Sequence, residues 1–284
     1  MAGPTFARTE EIVRTALGYA AERIEPVLAA LSFEPGEGLR ALDATPVATP
    51  ARPQVEAQVR DAHRWCAERF PLGIRDAEGR ACRAVSAICV GQSRHPGEFL
   101  TASSPQRPGI VFAAAPWPVP SRYRLASLIA HEAMHQALYH RERQGPVARV
   151  GALGYSPWKE VLRPGRLVWH AFWTFSAQFL FLAEAVADPQ LLAEDPDLTE
   201  FLAEMDARIE CCAGSLVAFE ILDRPETDRV ERGLDLVASA RTELAKIVPD
   251  YARRLARWAA KVEAELEAWA ERQLDAPADV FSPA

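Results

Sequence analysis

The residues best suited to chemistry are His131, Glu132 and His135, an HExxH run inside the segment 121–140, SRYRLASLIAHEAMHQALYH. An α-helix turns about 100° per residue, so histidines four apart lie on one face, where both imidazoles can hold one cation with the glutamate beside them. Two imidazoles leave a metal shell incomplete, and a third donor has to come from elsewhere. A metzincin takes it six residues after the second histidine, but Arg141 stands there and His140 falls one step short. A thermolysin-like enzyme takes a glutamate from a second helix; Glu160 and Glu184 are available, both at wider spacings than that class uses. His170 is the better candidate, because it sits in the most apolar stretch of the chain, where an unpaired imidazole is costly to bury and ligation would satisfy it. A hydrogen-bonded core histidine is the plain alternative for it, as two ordinary helix histidines are for His131 and His135.

This geometry needs two helices, and the sequence predicts both. Ser121 is a fitting N-cap for the HExxH helix, although Arg124 stands where a capping box has glutamate. Leu125, Leu128, Ile129 and Leu138 give that helix an apolar face, and Gly145 and Pro146 follow its end. His170 lies in 167–187, a stretch rich in Phe, Trp, Leu and Ala; with Thr174, Ser176, Gln178 and Glu184 in it, a buried core helix fits better than a membrane span. Upstream, Ile12, Ala16, Leu17, Ala20, Ile24 and Leu28 predict a helix over 6–31, with Pro26 as a kink or stop. A Pro- and Gly-bearing surface loop over 33–53 and a second amphipathic helix over 55–70 follow.

Between 84 and 115 the pattern changes. Short apolar runs at 85–90 and 109–113, bounded by Gly and Pro, predict strands in a small hairpin or edge ribbon. Zincin-type enzymes use such an edge beside the HExxH helix to grip extended peptide, and a purely structural hairpin is the plain alternative. Helices are predicted again over 201–222 and 230–248, then after Pro249 along the stripe Tyr251, Leu255, Trp258, Val262, Leu266 and Trp269, with a frayed tail from Asp275. The whole reads as a mainly α fold. One domain is expected over 1–284, with an N-terminal helical part (1–75), a metal-site core (80–190) and C-terminal helices (195–274).

Composition bounds the partners. With 32 Lys and Arg against 39 Asp and Glu, the formal charge is -7, so no global basic field exists to hold nucleic acid or an anionic membrane. The first residues lack the basic patch and apolar core of a secretory signal, and five cysteines, Cys66, Cys82, Cys89, Cys211 and Cys212, contain no CxxC. A cytoplasmic protein with reduced, packing thiols is the expectation.

Beyond HExxH the chain carries Tyr155-Ser-Pro-Trp158-Lys159, then Arg163-Pro164, then a helix with His170, Trp173 and Phe175. Taken together over about residues 121–187, these motifs resemble the HEXXH-motif family of peptide-modification proteins found with pathways for ribosomally made peptides. Members look like iron(II), 2-oxoglutarate-dependent peptide β-hydroxylases. The resemblance implies His131, His135 and His170 as metal ligands, Glu132 as ligand or acid/base, and Arg163 as a family-matching basic residue. Lys159 replaces an arginine at the position after Trp158, and residues 1–115 match no part of the family pattern. An iron held by three residues keeps positions open for a keto acid and dioxygen. The distal carboxylate of 2-oxoglutarate wants a bidentate cation, for which Arg163 or Arg166 could serve, and Trp158 could wall the cofactor pocket or simply pack.

Three functions follow as expectations. The first is side-chain hydroxylation of a precursor peptide with Fe(II) and 2-oxoglutarate, in company with other peptide-modifying enzymes of the same pathway. The second is a zinc-dependent peptidase or amidase, in which Glu132 deprotonates a water. The third is a non-catalytic peptide-binding scaffold.

Overall fold

The computed structural model describes residues 6–18, 30–34, 36–71, 73–75, 81–95, 98–119 and 121–274. Helix α1 (Ala7–Leu17) ends where Gly18 takes a left-handed φ of 73°, well short of the expected residue 31. Residues 19–29, with Pro26, lie outside the described residues, and Ala30–Ser32 is strand β1. The expected loop at 33–53 contains α2 (Glu37–Ala41) and β2 (Ala44–Pro46). Helix α3 (Arg52–Ala67) starts earlier than expected because Pro53 occupies its first turn, where a missing N–H costs nothing. The short pair β3 (Gly73–Arg75) and β4 (Ala81–Arg83) follows.

The apolar runs near 84–115 are strands, but they are not hairpin partners. β5 (Ala87–Ser93) and β7 (Ile110–Ala115) run parallel, Ile88 opposite Val111, while β6 (Leu100–Ser103) pairs antiparallel with β7 and supplies the hairpin. With β1 and β2 also on β5, the strand order is β1-β5-β7-β6, and β6 stands at one end of it. β5 and β7 are the buried middle strands, which explains why they read as continuous apolar runs.

Helix α4 (Arg122–Glu142) carries the HExxH motif, and its N-cap is Ser121, whose Oγ accepts the Arg124 backbone N–H at 3.4 Å. Next come the hairpin β8 (Leu153–Ser156) and β9 (Val161–Pro164) and the helix α5 (Gly165–Ala185). The chain finishes in α6 (Pro189–Glu194), α7 (Leu198–Ala218), α8 (Arg224–Ile247) and α9 (Tyr251–Leu274). The fold is mainly α with short strands, as the sequence predicts.

Helix α5 is the spine. Trp169, Phe172, Trp173, Phe179, Leu180, Phe181 and Leu182 are all fully buried, and one continuous apolar core joins them to α1, α3, α4, α7 and α8. Trp65 of α3 meets Phe181 edge-on at 5.1 Å and Tyr123 of α4 at 4.9 Å, an arrangement aromatic quadrupoles favour. No described helix is long and apolar enough to cross a membrane. Cys66, Cys89, Cys211 and Cys212 are free thiols.

One buried group outside the site gives a pH-dependent test of this packing. His63 of α3 is 2% exposed and its Nε2 has no hydrogen-bond partner. Burial, with help from Arg83 and Arg60, lowers its pKa to about 4. The unfolded chain therefore takes up a proton near pH 6.5 that the folded chain refuses, so stability is present above that pH and is lost as pH falls towards 4. The full shift corresponds to at most about 3 kcal/mol. In urea unfolding at pH 7.5 and 4.5, His63→Gln should lose less stability on acidification than the wild type; an equal loss would remove His63 from the account.

Candidate functional site

Helices α4 and α5 pack against each other, and their facing stripes bring the predicted histidines together. On α4, His131, His135, Tyr139 and Glu142 recur at steps of four, four and three, one face of the helix. On α5, His170, Phe175 and Gln178 look back at them. His135 Nδ1 and His170 Nδ1 are 3.0 Å apart, and the His131 and His135 ring centroids are 5.0 Å apart. All three rings line one cavity of about 610 Å³, together with Glu132, Trp158, Lys159 and Arg163.

The ring orientations are set by partners the sequence did not single out as functional. Ser127 Oγ donates to the Arg124 carbonyl at 2.9 Å, so it accepts from Gln178 Nε2 at 3.1 Å. That fixes the Gln178 amide with its oxygen towards His131 Nδ1, 3.1 Å away. An amide oxygen only accepts; His131 Nδ1 therefore carries the proton and Nε2 keeps its lone pair. On the other side, His170 Nε2 lies 3.2 Å from Glu142 Oε1, a close polar approach that falls short of hydrogen-bond geometry. Arg166 Nη1 holds Glu142 Oε2 at 3.1 Å. Burial alone would raise the Glu142 carboxyl, but His170 and Arg166 beside it outweigh burial and hold it below the ordinary range. The signal for Glu142 was present in the sequence, seven residues after His135 on the same face; for Gln178 it was the eight-residue step from His170.

Burial keeps the imidazoles neutral. It lowers His131 to about 4, against a partial offset from Gln178, and holds His135 well below its ordinary value with the help of His131, His170 and Arg163. His170 is lowered by burial as well, partly offset by Glu142. Neutral imidazole is the ligating form. Glu132 is 2% exposed, its Oε2 has no hydrogen-bond partner, and burial pushes it up to about 7 against the offset from Ser103 and Thr101 of β6.

The β8-β9 hairpin brings the cationic wall. Gly154 makes its close approach to the end of α7 possible: a Cβ there would stand 2.3 Å from Ile221 Cδ1 and 3.1 Å from Ser215 Oγ. Arg208 of α7 donates to the Pro157 carbonyl and pairs with Glu265 of α9 at 3.0 Å, anchoring the hairpin turn. Trp158 stacks on Phe175 at 3.9 Å, and Phe175 in turn meets the His131 ring at 4.7 Å. Lys159 and Arg163 reach the cavity from this hairpin. Arg166 does not: it lines a different cavity beside the 145–153 loop and reaches the histidines only through Glu142.

The other candidate donors are engaged elsewhere. Glu184 accepts the Arg8 and Thr9 backbone N–H groups at 2.8 and 3.0 Å and so closes the N-terminus of α1. Glu160 is exposed in the hairpin turn at φ 53°, and His140 Nδ1 is bonded by Arg143 at 2.9 Å.

Among the described residues, no group of three His, Cys, Asp or Glu side chains is placed so that it could hold a metal ion. The three rings are neighbours rather than a finished shell. What they share is donor type: three imidazoles and an unpartnered buried carboxylate oxygen line one cavity. The 3.0 Å between His135 and His170 is a hydrogen-bond length. It is also the separation of two nitrogens each about 2.1 Å from one ion at a right angle. Compared with protein-family models, curated proteins and solved structures, the chain has no match in any of the three.

Proposed function

We propose that the chain is an iron(II), 2-oxoglutarate-dependent enzyme that hydroxylates a side chain of a ribosomally made peptide. The observation that carries this reading is the meeting of three imidazoles from two helices in one cavity that also has Arg163 and Lys159 on its wall. His131, His135 and His170 would hold the ion. Iron bound there with the keto acid would supply activation of dioxygen, with one oxygen atom destined for a C–H bond of the substrate and the other for succinate, carbon dioxide being the by-product.

The chain's own residues do the rest. Gln178 fixes His131 with Nε2 free, and Glu142, held by Arg166, faces His170 Nε2 and leaves Nδ1 to the cavity. Arg163 offers a forked pair of N–H donors to the distal carboxylate, with Lys159 adding charge. Trp158 on Phe175 covers the His131 side and limits water there. β6, the end strand of its sheet, borders the cavity along Leu100–Ser103, where an extended peptide can lie.

The competing zinc hydrolase uses the same histidines with Glu132 as the base that deprotonates water, and the position of β6 beside α4 is the observation in its favour. Anaerobic loading with iron, then a succinate assay with precursor peptides, separates the two. Oxygen-dependent succinate formation is expected; peptide cleavage without keto acid, with zinc in the purified protein, would replace the hydroxylase by the hydrolase.

Glu142 gives a finer test. Glu142→Gln removes the charge behind His170 while keeping its shape, and metal affinity measured by competition with a chelator should fall about tenfold to a hundredfold. An unchanged affinity would show that Glu142 has no part in orienting His170.

A further inference from the structure

The cavity that holds the imidazoles has a neighbour. Phe99, Leu128, Gln178 and Phe201 line both it and a second chamber of about 520 Å³, so the two are neighbours on either side of these side chains. Both volumes fall in the range of sites for small ligands or single peptide residues.

The charges differ between the two. The described charged residues around the second chamber are Arg124, Glu194, Asp195 and Asp197. Arg124 is taken up: its Nη2 is 3.3 Å from Asp195 Oδ1, its Nε also meets Asp195, and its guanidinium lies 4.0 Å from the Phe201 ring centroid. Glu194 and Asp197 have no salt-bridge partner among the described residues; Arg122 acts on Glu194 only at longer range. At the imidazole end the cations are Lys159 and Arg163, which have no salt-bridge partner among the described residues. The imidazole cavity is thus bordered by cations and the neighbouring chamber by carboxylates. Glu132 Oε2, buried and without a partner, belongs to the imidazole cavity, next to the residue that would be presented there.

An anionic keto acid belongs beside the cations. We infer that the second chamber is a specificity subsite that takes a cationic group of the peptide, the ammonium of a lysine or the guanidinium of an arginine, beside the residue presented to the imidazoles. This rests on the peptide-modifying reading, and it adds what that reading leaves open: the class of sequence selected. Phe99 and Phe201 supply apolar walls for the methylene stem of such a side chain, and Glu194 and Asp197 supply its counter-charge.

Binding of labelled acetylated pentapeptides of alternating glycine with lysine, arginine or glutamate to the metal-free full chain, followed by fluorescence anisotropy, tests it. The lysine or arginine peptide should bind, and the glutamate peptide should not. Glu194→Gln combined with Asp197→Asn should weaken binding about tenfold. Glu194→Lys with Asp197→Lys should reverse the preference towards the glutamate peptide, which no loss of folding would do. Glu263→Gln with Glu267→Gln on α9, an equal change in net charge, should leave binding as it was. Equal affinity of the cationic peptide for wild type and the Glu194/Asp197 pair, equal loss in the α9 pair, or no reversal would overturn the inference. The readout needs neither iron nor turnover, so failure of the oxygenase reading, seen as absent succinate, is separate from failure of this one.

Discussion

Replacing His135 with alanine should abolish metal loading, and keto-acid turnover with it. His135 neighbours both other rings, 3.0 Å from His170 between Nδ1 atoms and 5.0 Å from His131 between centroids, so its loss removes the ring they have in common. Its side chain is partly open to the cavity instead of being packed in the core, so truncation should leave the fold intact, and circular dichroism should confirm that. The expected result is iron content falling from about one ion per chain to near zero, since removal of one of three protein ligands leaves too few. Unchanged iron or zinc content in His135→Ala would rule out both metal-dependent readings. A wild type that binds neither ion would leave the peptide-binding scaffold.

The second large effect belongs to Arg163. A guanidinium that grips a carboxylate through two charge-assisted hydrogen bonds contributes about 2–3 kcal/mol in a partly desolvated site. Arg163→Met should therefore raise the KM for 2-oxoglutarate about thirtyfold to a hundredfold while metal content stays at the wild-type level. Arg163→Lys should recover part of the loss, because it restores charge without the fork. Arg166→Met should behave differently: Arg166 reaches the site only through Glu142, so metal affinity should change and the KM for keto acid should not. If Arg166→Met raised that KM and Arg163→Met did not, the assignment of the two arginines would be reversed.

The two arginines show where sequence reading stops. Both flank Pro164 and both are the right chemical type, but Arg163 ends a strand whose hairpin delivers it to the cavity. Arg166 begins a helix and turns to Glu142 in a neighbouring cavity. Which side each faces depends on the hairpin's tilt, set by Gly154 against Ile221 and by Arg208 on Pro157, contacts between segments distant in the chain.

Periodicity was enough for the helices α4 and α5 and for setting His131 and His135 on one face, because a spacing of four fixes a helix face whatever packs on it; His170 was singled out by its apolar surroundings and the family resemblance instead. It was not enough at the N-terminal helix, where the apolar pattern runs on past Gly18 although the backbone turns left-handed there. Nor was it enough for β6, whose Leu-Thr-Ala-Ser residues are all half-buried and carry no clear alternation. Glu142 and Gln178 were legible as positions on the right faces, yet their roles emerge only when two helices are docked. A helical wheel shows which side a residue is on and not what it will meet.

The most direct test is a crystal structure of the protein loaded anaerobically with iron(II), with the ion located by anomalous scattering. One iron should lie about 2.0–2.2 Å from a ring nitrogen of each of His131, His135 and His170. An ion bound without His170, or bound away from this cavity altogether, would contradict the account.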